Sequence, residues 1–290
     1  MVYVSIFLAI LLLTFLLIKG LSKVYKNPHS THQSTPGNHN IPFEEIRFPT
    51  QNNCSLYGWW IPGQNNGSNS LPTLILVHGW GRNLERVLLY IRALYPHGFN
   101  MLAFDSRNHG NSDEDEYSTM VKFAEDIQAA VDFVENRNHS DNTDIGVIGL
   151  SIGGAAALYA ASQDSRIRKV VTVGAFAHPG DIMRIELSKR HVPYFPLVWL
   201  LFKYIENKIG KKLDDIAPVN NIQKTQADIL LIHGQDDQVV YPEHAQRLKQ
   251  AGDPERVDLW LIPGKGHSNC HTHPEFWDRL ISFFSNNTSG

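Results

Sequence analysis

DIGVIGLSIGGAAALYAA, residues 144–161, decides the fold. Its first eight residues are a nearly unbroken apolar run rich in β-branched side chains, which predicts a strand buried on both faces. After Gly153 the residues are small and helix-forming, which predicts a helix over 153–163. Between the two stands Gly149-Leu150-Ser151-Ile152-Gly153, a G-x-S-x-G pattern in a strand–turn–helix setting. Such a turn is tight and strained, and it projects the Ser Oγ away from its neighbours. Gly149 and Gly153 keep the backbone free of side chains where strand and helix approach. The pattern alone arises by chance in about one chain in ten at average glycine usage. Its place between strand and helix is what gives it weight.

Working outward, similar runs recur: TLILVHG (73–79), NMLAFDSR (100–107), RKVVTVGAF (168–176), ADILLIHG (227–234) and VDLWLIPG (257–264). Helical patterns lie between them. Val121 to Val134 puts Phe123, Ile127, Ala130, Val131 and Val134 on one stripe, and further helices are predicted at 84–95, 242–250 and 274–285. Regular βα alternation implies an α/β fold with a mostly parallel, doubly wound sheet and right-handed crossovers. EEIRFPT (44–50) and LYGWWI (56–61) are expected to pair antiparallel at one edge. Fifty residues separate Phe176 from Ala227, far more than a βα loop needs. They predict a helical cap over about 178–222, containing the uncharged aromatic stretch Val192 to Phe202.

A serine nucleophile needs a base, and the base needs an orienting carboxylate. In this architecture the chain order is Ser, then Asp or Glu, then His. ADILLIHG runs into Gly234-Gln235-Asp236-Asp237, which supplies a carboxylate just past a strand end. VDLWLIPG runs into Lys265-Gly266-His267, which supplies the imidazole after the last strand. Residue types, order and placement agree. The set His267, Cys270, His271 and His273 also looks like a metal cluster, but Cys and His spacing alone is a weak signal and His267 has another use. No metal ligand is assigned. G-x-G-x-x-G is absent, so no dinucleotide is expected either.

Five motifs in order carry a resemblance. They are Val77-His78-Gly79-Trp80-Gly81, Asp105-Ser106-Arg107-Asn108-His109-Gly110-Asn111-Ser112, Gly149-Leu150-Ser151-Ile152-Gly153-Gly154, His233-Gly234-x-x-Asp237-x-x-Val240 and Gly266-His267. Residues 41–290 thereby resemble the α/β-hydrolase superfamily, in particular the serine aminopeptidase S33-like and Bem46-like hydrolases. The resemblance implies that Asp237, not Asp236, is the acid. It implies an oxyanion hole built from the backbone N–H groups of Ile152 and Trp80. It also makes His78, His109, Asp105 and Arg107 bracing residues and not bases. The implied chemistry is acyl transfer through Ser151, Asp237 and His267, with no cofactor, on a small-molecule acyl substrate. A carboxylic ester is the leading substrate class; a peptidase, an acyltransferase or a thioesterase would use the same triad. A non-catalytic scaffold is disfavoured because all three triad members are present.

Composition bounds the rest. With 26 Lys+Arg against 29 Asp+Glu and no long run of either sign, nothing suggests a nucleic-acid partner. Two cysteines, Cys54 and Cys270, exclude a disulfide scaffold. Val2 to Ile18 is apolar apart from Ser5 and Thr14, and as a helix would span roughly 25 Å. Residues 1–20 are therefore expected to be a membrane anchor and 21–40 a flexible linker to the domain at 41–290. A cleaved signal peptide is the rival reading, although it lacks a basic start and a small-x-small exit. Lys19, Lys23 and Lys26 favour a cytoplasmic domain for an anchor; a signal peptide would instead send it out. Anchor and aromatic cap together suggest a lipophilic substrate.

Overall fold

The computed structural model describes residues 3–5, 12–16, 19–20, 29–64, 72–138 and 144–285. The six apolar runs form strands, preceded by the edge pair: β1 Glu44–Pro49, β2 Ser55–Ile61, β3 Thr73–Val77, β4 Met101–Phe104, β5 Ile145–Leu150, β6 Ile167–Val173, β7 Asp228–Gly234 and β8 Val257–Ile262. They make one sheet in the order β1-β2-β4-β3-β5-β6-β7-β8. β2 is antiparallel to both β1 and β4, and every other pairing is parallel. Because side chains alternate along a strand, Ile75 and Val77 of β3 enter one core while Leu74 and Leu76 enter the other. Helices Met120–Asn138 and Ile152–Ala161 cover the first face; Leu88–Leu94 and Phe276–Ser285 cover the second. This is why the strands read as continuous apolar runs.

Three segments depart from the sequence expectation. The helix expected over 84–95 begins as a 3-10 turn, Leu84–Val87, where the buried Asp105 Oδ1 accepts the Leu84 N–H at 2.7 Å. The aromatic stretch after β6 divides: Val198, Leu201 and Phe202 pack into the core, while Tyr194, Phe195 and Trp199 stay exposed. Finally, the linker expected over 21–40 is docked from residue 29 onward. His32 Nε2 lies 2.9 Å from Asp105 Oδ2, Asn83 Nδ2 donates to the Ser30 carbonyl, and a short turn, Pro36–His39, buries Pro36. Polar side chains there find specific partners on the domain, so polarity did not mean freedom. Residues 21–28 lie outside the described residues. So does most of the expected anchor Val2–Ile18, whose described pieces, 3–5 and 12–16, are helical. Among the described residues no helix is long and apolar enough to cross a membrane, so the anchor has no support from the structure.

Arg107 joins the loop after β4 to the helix that covers it. Its guanidinium is almost fully buried and donates to Asp115 at 3.0 Å, Glu125 at 2.6 Å and Asp126 at 2.7 Å. Asp126, itself fully buried, also accepts the Arg107 backbone N–H and the Thr50 hydroxyl. Removing one partner of such a cluster leaves an uncompensated charge in low dielectric. Asp126→Ala is therefore expected to destabilise the fold by about 3–5 kcal/mol. Urea unfolding would read this as a lower midpoint; an unchanged midpoint would show that Asp115 and Glu125 suffice.

Candidate active site

Strand β5 ends at Leu150, and the chain turns at Ser151 with φ 53° and ψ −117° before the helix begins at Ile152. That is left-handed backbone for a residue with a Cβ, a local strain held by its surroundings. The Ser151 N–H donates to the Val173 carbonyl at the end of β6, and its carbonyl accepts from Gly154 and Ala155. A Cβ on Gly153 would sit 2.6 Å from the His78 carbonyl oxygen, so only glycine allows the helix to approach the β3 loop this closely. The helix that follows is buried almost throughout, because its alanines let it lie close to the sheet.

The turn after β7 places Asp237, whose Oδ1 accepts the backbone N–H groups of Val239 and Val240 at 2.8 and 2.9 Å. This side-chain-to-backbone turn aims Oδ2 at His267 Nδ1, 2.7 Å away. His267 Nε2 lies 3.1 Å from Ser151 Oγ. The structure thus brings Ser151, His267 and Asp237 into one hydrogen-bonded chain. With Nδ1–H donating to the carboxylate, Nε2 is the acceptor that faces the hydroxyl. Asp236 is exposed and does not take part. Burial by itself would raise the Asp237 pKa, but hydrogen bonds from His233, His267 and the Val240 N–H outweigh it and hold the carboxyl well below its usual range. Gly174, at φ 69°, closes the other side of His267: a Cβ there would sit 3.1 Å from the imidazole.

The loop after β3 is braced by two neutral imidazoles. His78 accepts the Ser106 N–H through Nε2, which leaves Nδ1–H to donate to the Gly79 carbonyl. His109 accepts the Gly81 N–H through Nε2 and donates from Nδ1 to the Arg107 carbonyl. Burial, and then the neighbouring His78, lower the His109 pKa to about 3. Neither imidazole is free to act as a base. Asp105 accepts from Leu84 and Asn111 N–H groups and so pins the same loops. Ile152 opens its helix, and its N–H has no intrahelical acceptor. Trp80 and Ser151 line one cavity of about 300 Å³, which also holds Gly79, His267, Arg82 and Arg86.

Val192 to Phe202, expected to form apolar wall, contributes no residue to that cavity. Its aromatic side chains pack beneath the cap or face outward instead. The cysteines are unpaired and buried. Cys270 borders the cavity, but burial and then the Asp237 charge push its thiol up to about 11, so it is no nucleophile at neutral pH. His273 turns away from the cavity against Trp260. Among the described residues no three His, Cys, Asp or Glu side chains are grouped to hold a metal ion. Sequence reasoning missed Gly174, His233, Arg82 and Arg86. Of these only His233 left a signal, inside the motif that also carries Asp237.

A carboxyl whose folded pKa is depressed contributes stability above its unfolded value, and that contribution disappears as pH falls. For Asp237 the window lies below about pH 4, where an unfolded aspartate takes up its proton. The stability gap between wild type and Asp237→Asn is expected to be widest above this window and to narrow on acidification. Denaturant titrations at a series of pH values would show it. A gap independent of pH would mean that the carboxylate charge contributes nothing to the fold.

Comparison with known proteins agrees with the architecture. A family model for the α/β-hydrolase fold matches residues 72–199. The chain is similar to the uncharacterized protein YfhR of Escherichia coli O157:H7, 28% identical over 247 residues, covering 83% of this chain and 80% of that protein. It is also similar to the uncharacterized membrane protein YNL320W of Saccharomyces cerevisiae, 26% identical over 259 residues, covering 87% and 83%. Among solved structures, the Pyrococcus furiosus esterase Pf2001 superposes with a TM-score of 0.66 at 26% identity, covering 88% of this chain and 97% of that one. Strand order, family model and an esterase neighbour matched over nearly its whole length together give this chain the α/β-hydrolase fold, fit the α/β-hydrolase superfamily and support a hydrolytic enzyme.

Proposed function

We propose that the protein hydrolyses a carboxylic ester of a small molecule through Ser151, His267 and Asp237. The observation that carries this reading is the unbroken path Ser151 Oγ–His267 Nε2 at 3.1 Å and His267 Nδ1–Asp237 Oδ2 at 2.7 Å. His267 takes the Ser151 proton as Oγ attacks the carbonyl carbon. Asp237 fixes the imidazole tautomer and stabilises the imidazolium that forms. The Ile152 and Trp80 N–H groups receive the tetrahedral oxyanion; one such donor is worth about 3 kcal/mol of barrier. The imidazolium then protonates the leaving alcohol, and water repeats the cycle on the acyl-enzyme, releasing the acid and restoring Ser151.

Similarity to an esterase supports an ester over a peptide bond. A membrane location is a further part of the proposal. It is supported by the apolar composition of Val2–Ile18 and by similarity to a yeast protein named a membrane protein.

Ser151→Ala should abolish both labelling by a fluorophosphonate probe and ester turnover while the far-ultraviolet circular dichroism stays the same. Labelling that persists would move the nucleophile elsewhere. Asp237→Asn should lower kcat by about 10⁴, as loss of the tautomer does in such triads, and Asp236→Asn far less. The opposite ranking would shift the acid by one residue. For location, the full-length chain should pellet with membranes and resist carbonate extraction; release into the carbonate supernatant would remove the anchor from the proposal.

A further inference from the structure

Two arginines line the cavity that holds Ser151. Arg82 and Arg86 line the same space as Ser151 and His267, and among the described residues no Asp or Glu does. Elsewhere the half-buried and buried arginines are paired with acids. Arg107 and Arg166 each touch three carboxylates, and Arg279 touches Asp258. Half-buried Arg86 and its exposed neighbour Arg82 have no carboxylate within ion-pair distance among the described residues. The nearest acid in sequence, Glu85, is engaged by the docked N-terminal segment, where its Oε2 accepts the Gln33 N–H at 2.7 Å.

Arg86 is also held in place. Its turn, Leu84–Val87, is pinned by Asp105 through the Leu84 N–H, and its Nη2 donates to the Ser268 carbonyl at 3.1 Å, next to His267. That bond uses one of five N–H donors and leaves the rest of the planar fork for another acceptor. A titratable group on the neighbouring wall also feels the Arg86 charge. Burial, and then the Arg86 and Lys265 charges, lower the pKa of His271, which also lines the cavity.

We propose that Arg82 and Arg86 form an anion-binding subsite beside Ser151, so that the preferred substrate is an ester carrying a carboxylate or phosphate-like group. The proposal rests on the hydrolase reading above and replaces the lipophilic preference suggested by the aromatic cap, whose side chains do not reach this cavity. A guanidinium binds such groups through paired, charge-assisted hydrogen bonds, and the surrounding cavity wall weakens competition from water.

The test uses the full-length protein and 4-nitrophenyl esters of equal acyl length: hemiadipate, hexanoate and 6-aminohexanoate, with 6-phosphonohexanoate to separate a phosphono group from a carboxylate. A parallel arm places the carboxylate on the leaving group, as 3-carboxy-4-nitrophenyl hexanoate. Each rate is divided by that ester's own hydroxide hydrolysis. At least one anionic ester should exceed the neutral one in kcat/KM by about tenfold, the worth of one charged hydrogen bond, with the cationic ester below both. Arg86→Gln should lower that anion-to-neutral ratio by about tenfold, Arg86→Lys should restore part of it, and salt should reduce it.

If Arg86 only holds Ser268, its loss slows all esters alike and the ratio stays put, which would overturn the proposal. So would a neutral ester that outperforms every anionic one. A readout free of turnover is calorimetric binding of monomethyl adipate and of methyl 6-aminohexanoate to Ser151→Ala, repeated in Ser151→Ala/Arg86→Gln. Preference for the adipate, lost in the double variant, supports the subsite even if the hydrolase reading fails. Equal binding of both ligands would overturn the subsite while leaving labelling of Ser151 to stand.

Discussion

Everything chemical in this molecule hangs on one short approach, that of helix Ile152–Ala161 to the ends of β3 and β5. Gly153 touches the backbone of the β3 loop, and Ser151 is forced into left-handed backbone between strand and helix. The turn holds because both sides are tied down. The Ser151 N–H is bound to β6, and the alanine-rich helix is enclosed on all faces. Local strain of this kind costs on the order of 1–3 kcal/mol and survives only where surrounding structure over-determines it. Here that surrounding structure is the parallel sheet. Its strand ends also deliver Asp237 and His267 to the same edge, so the constraint that bends Ser151 also assembles its hydrogen-bonding partners.

A second tier of buried polar groups keeps the loops around that turn from relaxing. Asp105 collects N–H donors from two loops, His78 and His109 tie the β3 loop to the β4 loop, and Arg107 ties the latter to helix Met120–Asn138. These imidazoles and carboxylates are satisfied internally. Groups that are buried and fully hydrogen-bonded rigidify a fold, whereas the same groups unpaired would weaken it. Against this saturated background half-buried Arg86 stands out at the cavity, since among the described residues it has no carboxylate within ion-pair distance, whereas Arg107, Arg166 and Arg279 do.

Much of this was legible in the sequence, for reasons that differ by element. Strands β3 to β8 announced themselves because burial on both faces leaves no polar position, and G-x-S-x-G announced the turn because only glycine tolerates that contact. Asp237 was separable from Asp236 only by resemblance: both are aspartates past the same strand, and the difference lies in which one folds back to accept two backbone N–H groups. The apolar content of Val192–Phe202 did not reveal that none of its residues lines the cavity, since hydrophobicity says that a side chain avoids water but not which surface it meets. The 3-10 turn at Leu84–Val87 and the fixed place of Arg86 depend on Asp105, far away in sequence, and no local pattern encodes that.

The docking of residues 29–40 has a geometric consequence. His29 Nδ1 lies 2.6 Å from the Gly110 carbonyl, so the chain is fastened to the β4 loop from that point on. Between Gly20 and His29 there are nine residue steps, which fully extended reach roughly 30 Å. Whatever holds position 20 therefore holds His29, and with it the loop after β4, within that reach.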